Sequence, residues 1–532
     1  MGYNIADLFE SVVDTVPDKT ALVSGDTRLT FREFDARINQ FAHALAARGV
    51  GPGDNIGLQV YNGTEFLIAM LGAFKLRAVP ININYRYVDE ELTYLYKNAD
   101  LVALVFQREL SDRVTAAAPA APGLKTLIAV EDGSSHALPA GSHDFETLLA
   151  AGSPERDFAP RSNDDLYIIY TGGTTGMPRG VMWRHEDVLF AGLQGGNPGG
   201  APLQSPEQLP ELVRARANPP TFLPAAPFIH GAAQWAALIG LFMGSKVVLV
   251  PGRSFDARQA VKLIATERVN TMTLVGDAMA RPLAEALIEA ADADVSSLLV
   301  ISSAGAILSE SVKADLNGRL PMTMVLNSFG ASETGHQGTV FGPGAPGSRP
   351  KFFMDQSNTV LDENMKAVVP GSGVTGKLAR RGHIPLGYYK DPEKTAATFP
   401  VIDGLRWAIP GDLATIEADG MITVFGRGAV CINTGGEKVY PEEVEEALKA
   451  HASVLDAVVV GVPDERWGQR VAALVQTRPG TEVTLPLLDA HCRTKIAGYK
   501  VPRQLRVVDL IVRHPSGKPD YRWARDTALE NT

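Results

Sequence analysis

Apolar residues recur along this chain at two periods. Between residues 31 and 45, Phe31, Phe34, Ile38, Phe41 and Leu45 lie three or four positions apart, which predicts a helix with one buried face. Thr30 precedes that run and Glu33 stands three positions on, so the two read as a capping box. The turn Gly49-Val-Gly-Pro-Gly-Asp-Asn follows, then a short strand over residues 56–60. A second helix is predicted over residues 65–76, and residues 78–82 read as strand then loop. Further apolar, β-prone runs occupy residues 166–170 and 298–301. The last hundred residues predict a helix over 441–450, strands over 457–462 and 471–476, and a helix over 485–496. Residues 192–220, rich in Gly, Pro, Gln and Ala, predict a long mobile loop. The alternation predicts an α/β fold: a large N-terminal domain of layered, mostly parallel sheets and helices over residues 1–427, and a small α+β lid over residues 428–532.

Composition narrows the function. A length of 532 residues with 45% hydrophobic and 21% charged residues is that of a globular protein with a sizeable core. A net charge of −10 argues against general nucleic-acid binding, so an anionic ligand must meet local positive charge. Two cysteines, Cys431 and Cys492, exclude a disulfide framework and fit a reducing compartment. No basic-then-apolar leader is expected at the N-terminus. The most apolar stretch, residues 236–250, is broken by Gly240, Gly244 and Lys246, so no transmembrane segment is expected and the expected location is the cytoplasm.

The chemistry centres on Asp165-Leu-Tyr-Ile-Ile-Tyr-Thr171-Gly-Gly-Thr-Thr-Gly-Met-Pro-Arg179-Gly-Val. A strand feeds a loop in which Gly172, Gly173 and Gly176 let successive N–H groups converge, while Thr171, Thr174 and Thr175 add hydroxyl donors. Such a loop wraps a polyphosphate, although the Gly-Lys-Ser/Thr ending of a Walker A loop is absent. Taken alone, a Gly-rich turn after a strand is most often only a turn. The full string, however, resembles the phosphate loop of the adenylate-forming superfamily, which includes acyl-CoA synthetases, adenylation domains and beetle luciferases.

Other strings carry the same resemblance in the same order. Leu326-Asn-Ser-Phe-Gly-Ala-Ser-Glu333 is similar to the family's aromatic-Gly-x-Thr/Ser-Glu motif. By that match Phe329 stacks on adenine beside Ser328 and Gly330, Ser332 supplies the hydroxyl, and Glu333 holds Mg²⁺. The small-residue turn at Ala304 and Gly305 would let a flat base approach the backbone. Pro224-Ala-Ala-Pro-Phe-Ile-His230-Gly-Ala-Ala-Gln-Trp235 resembles the family's aromatic-His turn, which implies an acyl-site wall of His230, Gly231 and Trp235. Gly387-Tyr-Tyr-Lys-Asp-Pro resembles a motif of mainly structural role. Asp412 and Arg427 match the family's ribose contacts, and Arg179 replaces the Lys common at its position. Gly435, Gly436 and Lys438 match the loop that forms the thiol-acceptor tunnel, and Lys518 matches the catalytic lysine. Ala429 stands where the family often has an Asp or Lys hinge.

The resemblance implies an AMP-forming acid–CoA ligase that uses ATP, Mg²⁺ and coenzyme A, with Lys518, Thr175, Glu333 and His230 nearest the chemistry. Gly276-Asp-Ala-Met-Ala-Arg-Pro-Leu, Ala497-Gly-Tyr-Lys-Val-Pro-Arg and the strings around residues 171–187 and 435–445 are similar to a bacterial subgroup that includes ligases for steroid side-chain acids. Long-chain fatty or steroid side-chain acids are therefore the expected substrates. Medium-chain or aryl acids stay open, as do an adenylating enzyme that loads a carrier protein, a nucleotide-binding protein without ligase activity, and a homodimer. No Ser-bearing carrier segment is expected after Lys518.

Overall fold

A computed structural model describes residues 2–173, 176–306, 308–340, 351–427, 430–434, 437–464, 468–496, 498–514 and 518–530. Among these residues the strands form sheets of 8, 15 and 5 strands. In the first, Val79–Asn82, Asn55–Gln59, Leu101–Gln107 and Thr126–Val130 run parallel, as the helix–strand alternation predicts. Leu166–Gly173 joins them in parallel at Ile81–Ile168, then turns back antiparallel as Gly176–Arg184. The far edge of that hairpin is covered by the two-residue strand Gly387–Tyr388.

The second sheet carries Phe222–Pro224, Thr271–Leu274, Val300–Ala304 and Met324–Ala331 in parallel, and reverses at Gly335–Val340. Helices pack between the two sheets. Thr64–Lys75 is buried on nearly every side, which suits its almost continuous apolar sequence. Its terminal Lys75 is the exception, and Asp35 at 2.6 Å and Glu10 at 2.8 Å compensate the buried ammonium. Helix Phe31–Ala46 forms with the predicted capping box intact: the Glu33 N–H donates to Thr30 Oγ1 at 3.2 Å, and the Thr30 N–H donates to Glu33 Oε2 at 2.8 Å.

The third sheet begins at Ile432–Thr434 and is built on the long hairpin Val454–Asp464 and Gly468–Thr477. Helices Pro441–Lys449, Leu485–Arg493 and Tyr521–Leu529 belong to the same unit, which has its own apolar clusters.

Residues 192–220 are not one long loop. They contain the helix Gln208–Ala215, whose Leu209 and Val213, four residues apart, are buried. The prolines at 206 and 210 hid it, yet Pro210 lies in the first turn, where the backbone N–H needs no helical partner. The strand expected over 298–301 is shifted to Val300–Ala304, leaving Leu299 exposed. The helix expected to run to 496 ends at Arg493. The lid strands extend beyond 457–462 and 471–476 because each pairs with the other along its length.

Candidate active site

The strand expected over residues 166–170 continues to Gly173 and returns from Gly176, with Gly173 opposite Gly176 and Thr171 opposite Arg179. Thr174 and Thr175 lie outside the described residues. The hairpin thus brings Thr171, Gly172, Gly173 and Arg179 to one end. Arg179 Nε donates to Asp391 Oδ2 at 3.1 Å, with both side chains about one-third exposed.

Parallel pairing of Val300–Ala304 with Met324–Ala331 sets Ala304 beside Ser328, and Ser302 Oγ lies 2.9 Å from Ser328 Oγ. Gly305 has φ of +82°, a conformation that excludes most side chains. A Cβ on Gly330 would stand 2.2 Å from the Gly335 carbonyl oxygen, so this position has room only for glycine. Phe329 lies beside it, half-buried, with its ring centroid 5.2 Å from that of Phe352. The small residues expected around a flat base and the aromatic expected to stack on it therefore occupy one pair of adjacent strands.

Glu333 sits in the turn between Met324–Ala331 and Gly335–Val340 and is buried. Tyr388 Oη donates to Glu333 Oε1 at 2.9 Å. Trp183 Nε1 donates to the Ser332 carbonyl at 2.9 Å, tying this turn to the strand that leaves the phosphate loop. Among the described residues no group of three or more His, Cys, Asp or Glu could hold a metal. The single carboxylate of Glu333 is nevertheless compatible with Mg²⁺, a hard cation that takes one or two carboxylates with phosphate and water oxygens.

His230 stands at the N-cap position of the helix Gly231–Phe242. The small residues after it serve close packing as well as any cavity: a Cβ on Gly231 would stand 3.0 Å from Ile169 and 3.5 Å from Trp235. Trp235 is buried, edge-on to Trp183 at 6.4 Å. The structure therefore sets Trp235 against Gly231, in the core. Asp412 begins the strand Asp412–Ile416, is buried, and stands directly opposite Arg427 across an antiparallel pair. The two residues matched to ribose contacts thus come together from fifteen positions apart in sequence.

In the lid, Lys518 is exposed and its carbonyl accepts from the His514 N–H at 2.8 Å. The segment is pinned by Arg513, whose Nη2 donates to Asp456 Oδ1 at 2.7 Å. Gly435 and Gly436 lie outside the described residues, as does Ala429. Lys438 and Arg427 are placed by their strand backbones, Glu437–Val439 and Ile422–Arg427, and their side chains are not described.

Tyr388 and Asp391 lie in the segment that the resemblance gives a mainly structural role, and the structure sets them against Glu333 and Arg179. The segment enters through Gly387, whose φ of +145° and closeness to Thr395 exclude a side chain.

The AMP-binding enzyme family matches residues 9–389, and the C-terminal domain of AMP-binding enzymes matches residues 443–518. The chain belongs to this family of AMP-binding enzymes. It is an AMP-forming ligase of the acyl-CoA synthetase type. A medium/long-chain-fatty-acid–CoA/3-oxocholest-4-en-26-oate–CoA ligase of Mycolicibacterium smegmatis is 50% identical over 542 residues, covering 100% of this chain and 97% of that protein. A 3-oxocholest-4-en-26-oate–CoA ligase of Rhodococcus rhodochrous is 47% identical over 539 residues, covering 99% and 96%. Among solved structures, the anthranilate CoA ligase AuaEII with anthranoyl-AMP superposes with a TM-score of 0.85 at 24% identity, covering 99% and 97% of the two chains. ATP-bound MatB from Rhodopseudomonas palustris gives a TM-score of 0.83 at 24% identity, covering 100% and 99%. These two share the fold.

Proposed function

We propose that this chain activates a long-chain fatty acid or a steroid side-chain acid with ATP and transfers the acyl group to coenzyme A. The observation that carries the proposal is the 50% identity, over the whole chain, to a ligase named for fatty acids and a cholestenoate. The site chemistry supports the reaction class. A carboxylate is a poor electrophile, so a thiol cannot expel oxygen from it directly. In the first step a carboxylate oxygen attacks the α-phosphorus of ATP, forming the acyl adenylate and releasing pyrophosphate. In the second the coenzyme A thiolate attacks the acyl carbonyl and AMP leaves.

The residue roles belong to the same proposal. Thr171, Gly172, Gly173, Thr174, Thr175 and Gly176 would bind the phosphates, with Arg179 adding positive charge through a planar donor fork. Ala304, Gly305, Ser328, Phe329 and Gly330 would hold adenine, and Asp412 and Arg427 the ribose. Glu333, with Ser332 beside it, would hold Mg²⁺, which supplies charge neutralisation between the phosphates when bound. Lys518 would donate to the oxygens that gain charge as the α-phosphorus becomes pentavalent. His230, Gly231 and Trp235 would wall the acyl site. Gly435, Gly436 and Lys438 would meet coenzyme A after the lid turns, and we place the domain boundary between residues 427 and 428. Two cysteines in 532 residues fit a reducing compartment, and we place the reaction in the cytoplasm.

The test is pyrophosphate release with ATP and Mg²⁺ over a panel running from short fatty acids through aryl acids to a sterol-derived acid, each with and without coenzyme A. Release that rises with long-chain or sterol-derived acids, with acyl-CoA identified by mass, is the expected result. Release without acyl-CoA would sink the thiol step.

A further inference from the structure

We propose that Tyr388 is a positioning residue for Glu333: its hydroxyl fixes one carboxylate oxygen so that the other is presented to the metal. The inference rests on the ligase reading above and assigns a function to a segment so far explained only as structure. Among the described residues, the hydrogen bond from Tyr388 Oη to Glu333 Oε1, at 2.9 Å, is the one the Glu333 side chain makes. Both residues are buried, Tyr388 at 6% and Glu333 at 7% exposure, so a wandering carboxylate could not be steadied by bulk water.

The donor is held as firmly as the acceptor. Gly387 and Tyr388 pair antiparallel with Met182 and Val181, on the strand that leaves the phosphate loop. The Tyr388 N–H donates to Thr395 Oγ1 at 2.8 Å, and its ring packs against Phe399 at 5.7 Å. The preceding Gly387 has φ of +145°, and a Cβ there would stand 2.4 Å from Thr395 Cγ2, so the chain can enter this strand only through glycine. Three residues beyond Tyr388, Asp391 accepts from Arg179 Nε at 3.1 Å and caps the next helix through the Lys394 N–H at 3.0 Å. One five-residue segment therefore grips both the carboxylate and the cation assigned to the phosphate site. A segment with a purely structural role would have no reason to spend a buried hydroxyl on the one and a carboxylate on the other.

A neutral phenol suits this task. It donates without bringing charge, so it orients the carboxylate and leaves its negative charge to the cation, which a Lys or Arg at the same place would cancel. The effect is on how the metal is held, and ATP contacts elsewhere are untouched.

Tyr388→Phe keeps the ring, and with it the packing against Phe399, and removes only the hydroxyl. ATP binding to the full chain is measured by calorimetry across a Mg²⁺ series, and repeated with Mn²⁺ followed by its electron-spin signal. The expected result is a rise of about tenfold in the Mg²⁺ concentration for half-maximal ATP binding, the scale of one hydrogen bond to a charged group. Saturating Mg²⁺ should restore ATP affinity. Added to Glu333→Gln, Tyr388→Phe should shift the Mg²⁺ requirement no further. An unchanged Mg²⁺ requirement in Tyr388→Phe, or a further shift on top of Glu333→Gln, would overturn the proposal. A wild-type chain whose ATP binding ignores Mg²⁺ would instead overturn the ligase reading beneath it.

Discussion

Asp277, on the helix Gly276–Glu289 of the large domain, holds Lys449, on the helix Pro441–Lys449 of the C-terminal unit, in an ion pair at 3.4 Å with both side chains 8% exposed. Burial alone would raise the Asp277 carboxyl, but the Lys449 ammonium, the Ser309 N–H and Arg281 hold it below its ordinary value. Nearby, the Glu310 N–H donates to Glu446 Oε1 at 3.1 Å, a second bond across the same contact. The contact between the units thus contains buried charges. Such a contact is strong while paired, and both partners would regain water if it opened.

Asp277→Asn should weaken that contact. It leaves the Lys449 ammonium buried without its closest carboxylate, a loss of about 3–5 kcal/mol for a broken buried pair. The cost falls on docking of the two units, and neither apolar core is touched. Small-angle scattering should show a larger radius, and trypsin should cut faster near the boundary we propose between residues 427 and 428. Asp277→Leu with Lys449→Met should recover much of the compactness. An unchanged scattering curve for Asp277→Asn would show that the pair does not hold the units together.

Lys518→Ala should separate the two half-reactions. If Lys518 meets the charge that develops at the α-phosphorus, acid-dependent ATP–pyrophosphate exchange falls by about 10²–10³-fold. Thioester formation from preformed acyl adenylate and coenzyme A should stay within a few-fold of wild type. Equal losses in both assays would remove the lysine from the adenylation step.

Gly330→Ala should damage the site we propose for the nucleotide. The added Cβ meets a backbone oxygen at 2.2 Å, which no side-chain rotation relieves. The strand pair Met324–Ala331 and Gly335–Val340 must separate there, carrying Phe329 and Glu333 with it. A loss of about 1–3 kcal/mol in stability is expected from an overpacked site, with a rise in KM for ATP larger than the rise in KM for coenzyme A. Denaturant titration together with steady-state kinetics checks both parts.

Glu445 gives the C-terminal unit a pH dependence. Burial pushes its carboxyl up to about 7, against the pull of Lys449, the Val459 N–H and Arg513. As pH rises from about 4.5, the unfolded chain loses this proton while the folded chain keeps it, so stability falls until the folded group ionises near 7. Glu445→Gln removes that dependence and keeps an oxygen for the Val459 N–H. The Tm advantage of the variant over wild type should therefore grow from pH 4.5 to 7 and then level off. A difference in Tm that is flat across this range would contradict the assignment.

Much of the fold and the proposed site was legible where the signal is local. The capping pair Thr30 and Glu33 sits three residues apart and formed as expected. Pro441 opens its helix, with Glu442 and Glu443 in the first turn, where the helix dipole favours them. The helix Gln208–Ala215 was illegible because its two buried positions, Leu209 and Val213, are too few to mark a period among prolines and glutamines. Trp235 was expected at a pocket wall from its nearness to His230 in sequence, and the helix that follows His230 sets its indole edge-on to Trp183, a contact the sequence does not encode.

The sequence by itself determined the helix–strand alternation, the strand that feeds the loop at Gly172 and Gly173, and the family, because these depend on contacts two to four residues apart and on motifs that travel intact. Only the tertiary structure decided which polar groups meet. Tyr388 reaches Glu333 across 55 positions and Lys449 reaches Asp277 across 172. No periodicity encodes such pairs. They exist because packed sheets and helices bring distant side chains to one place, where burial makes an unpartnered polar group costly and a partnered one specific.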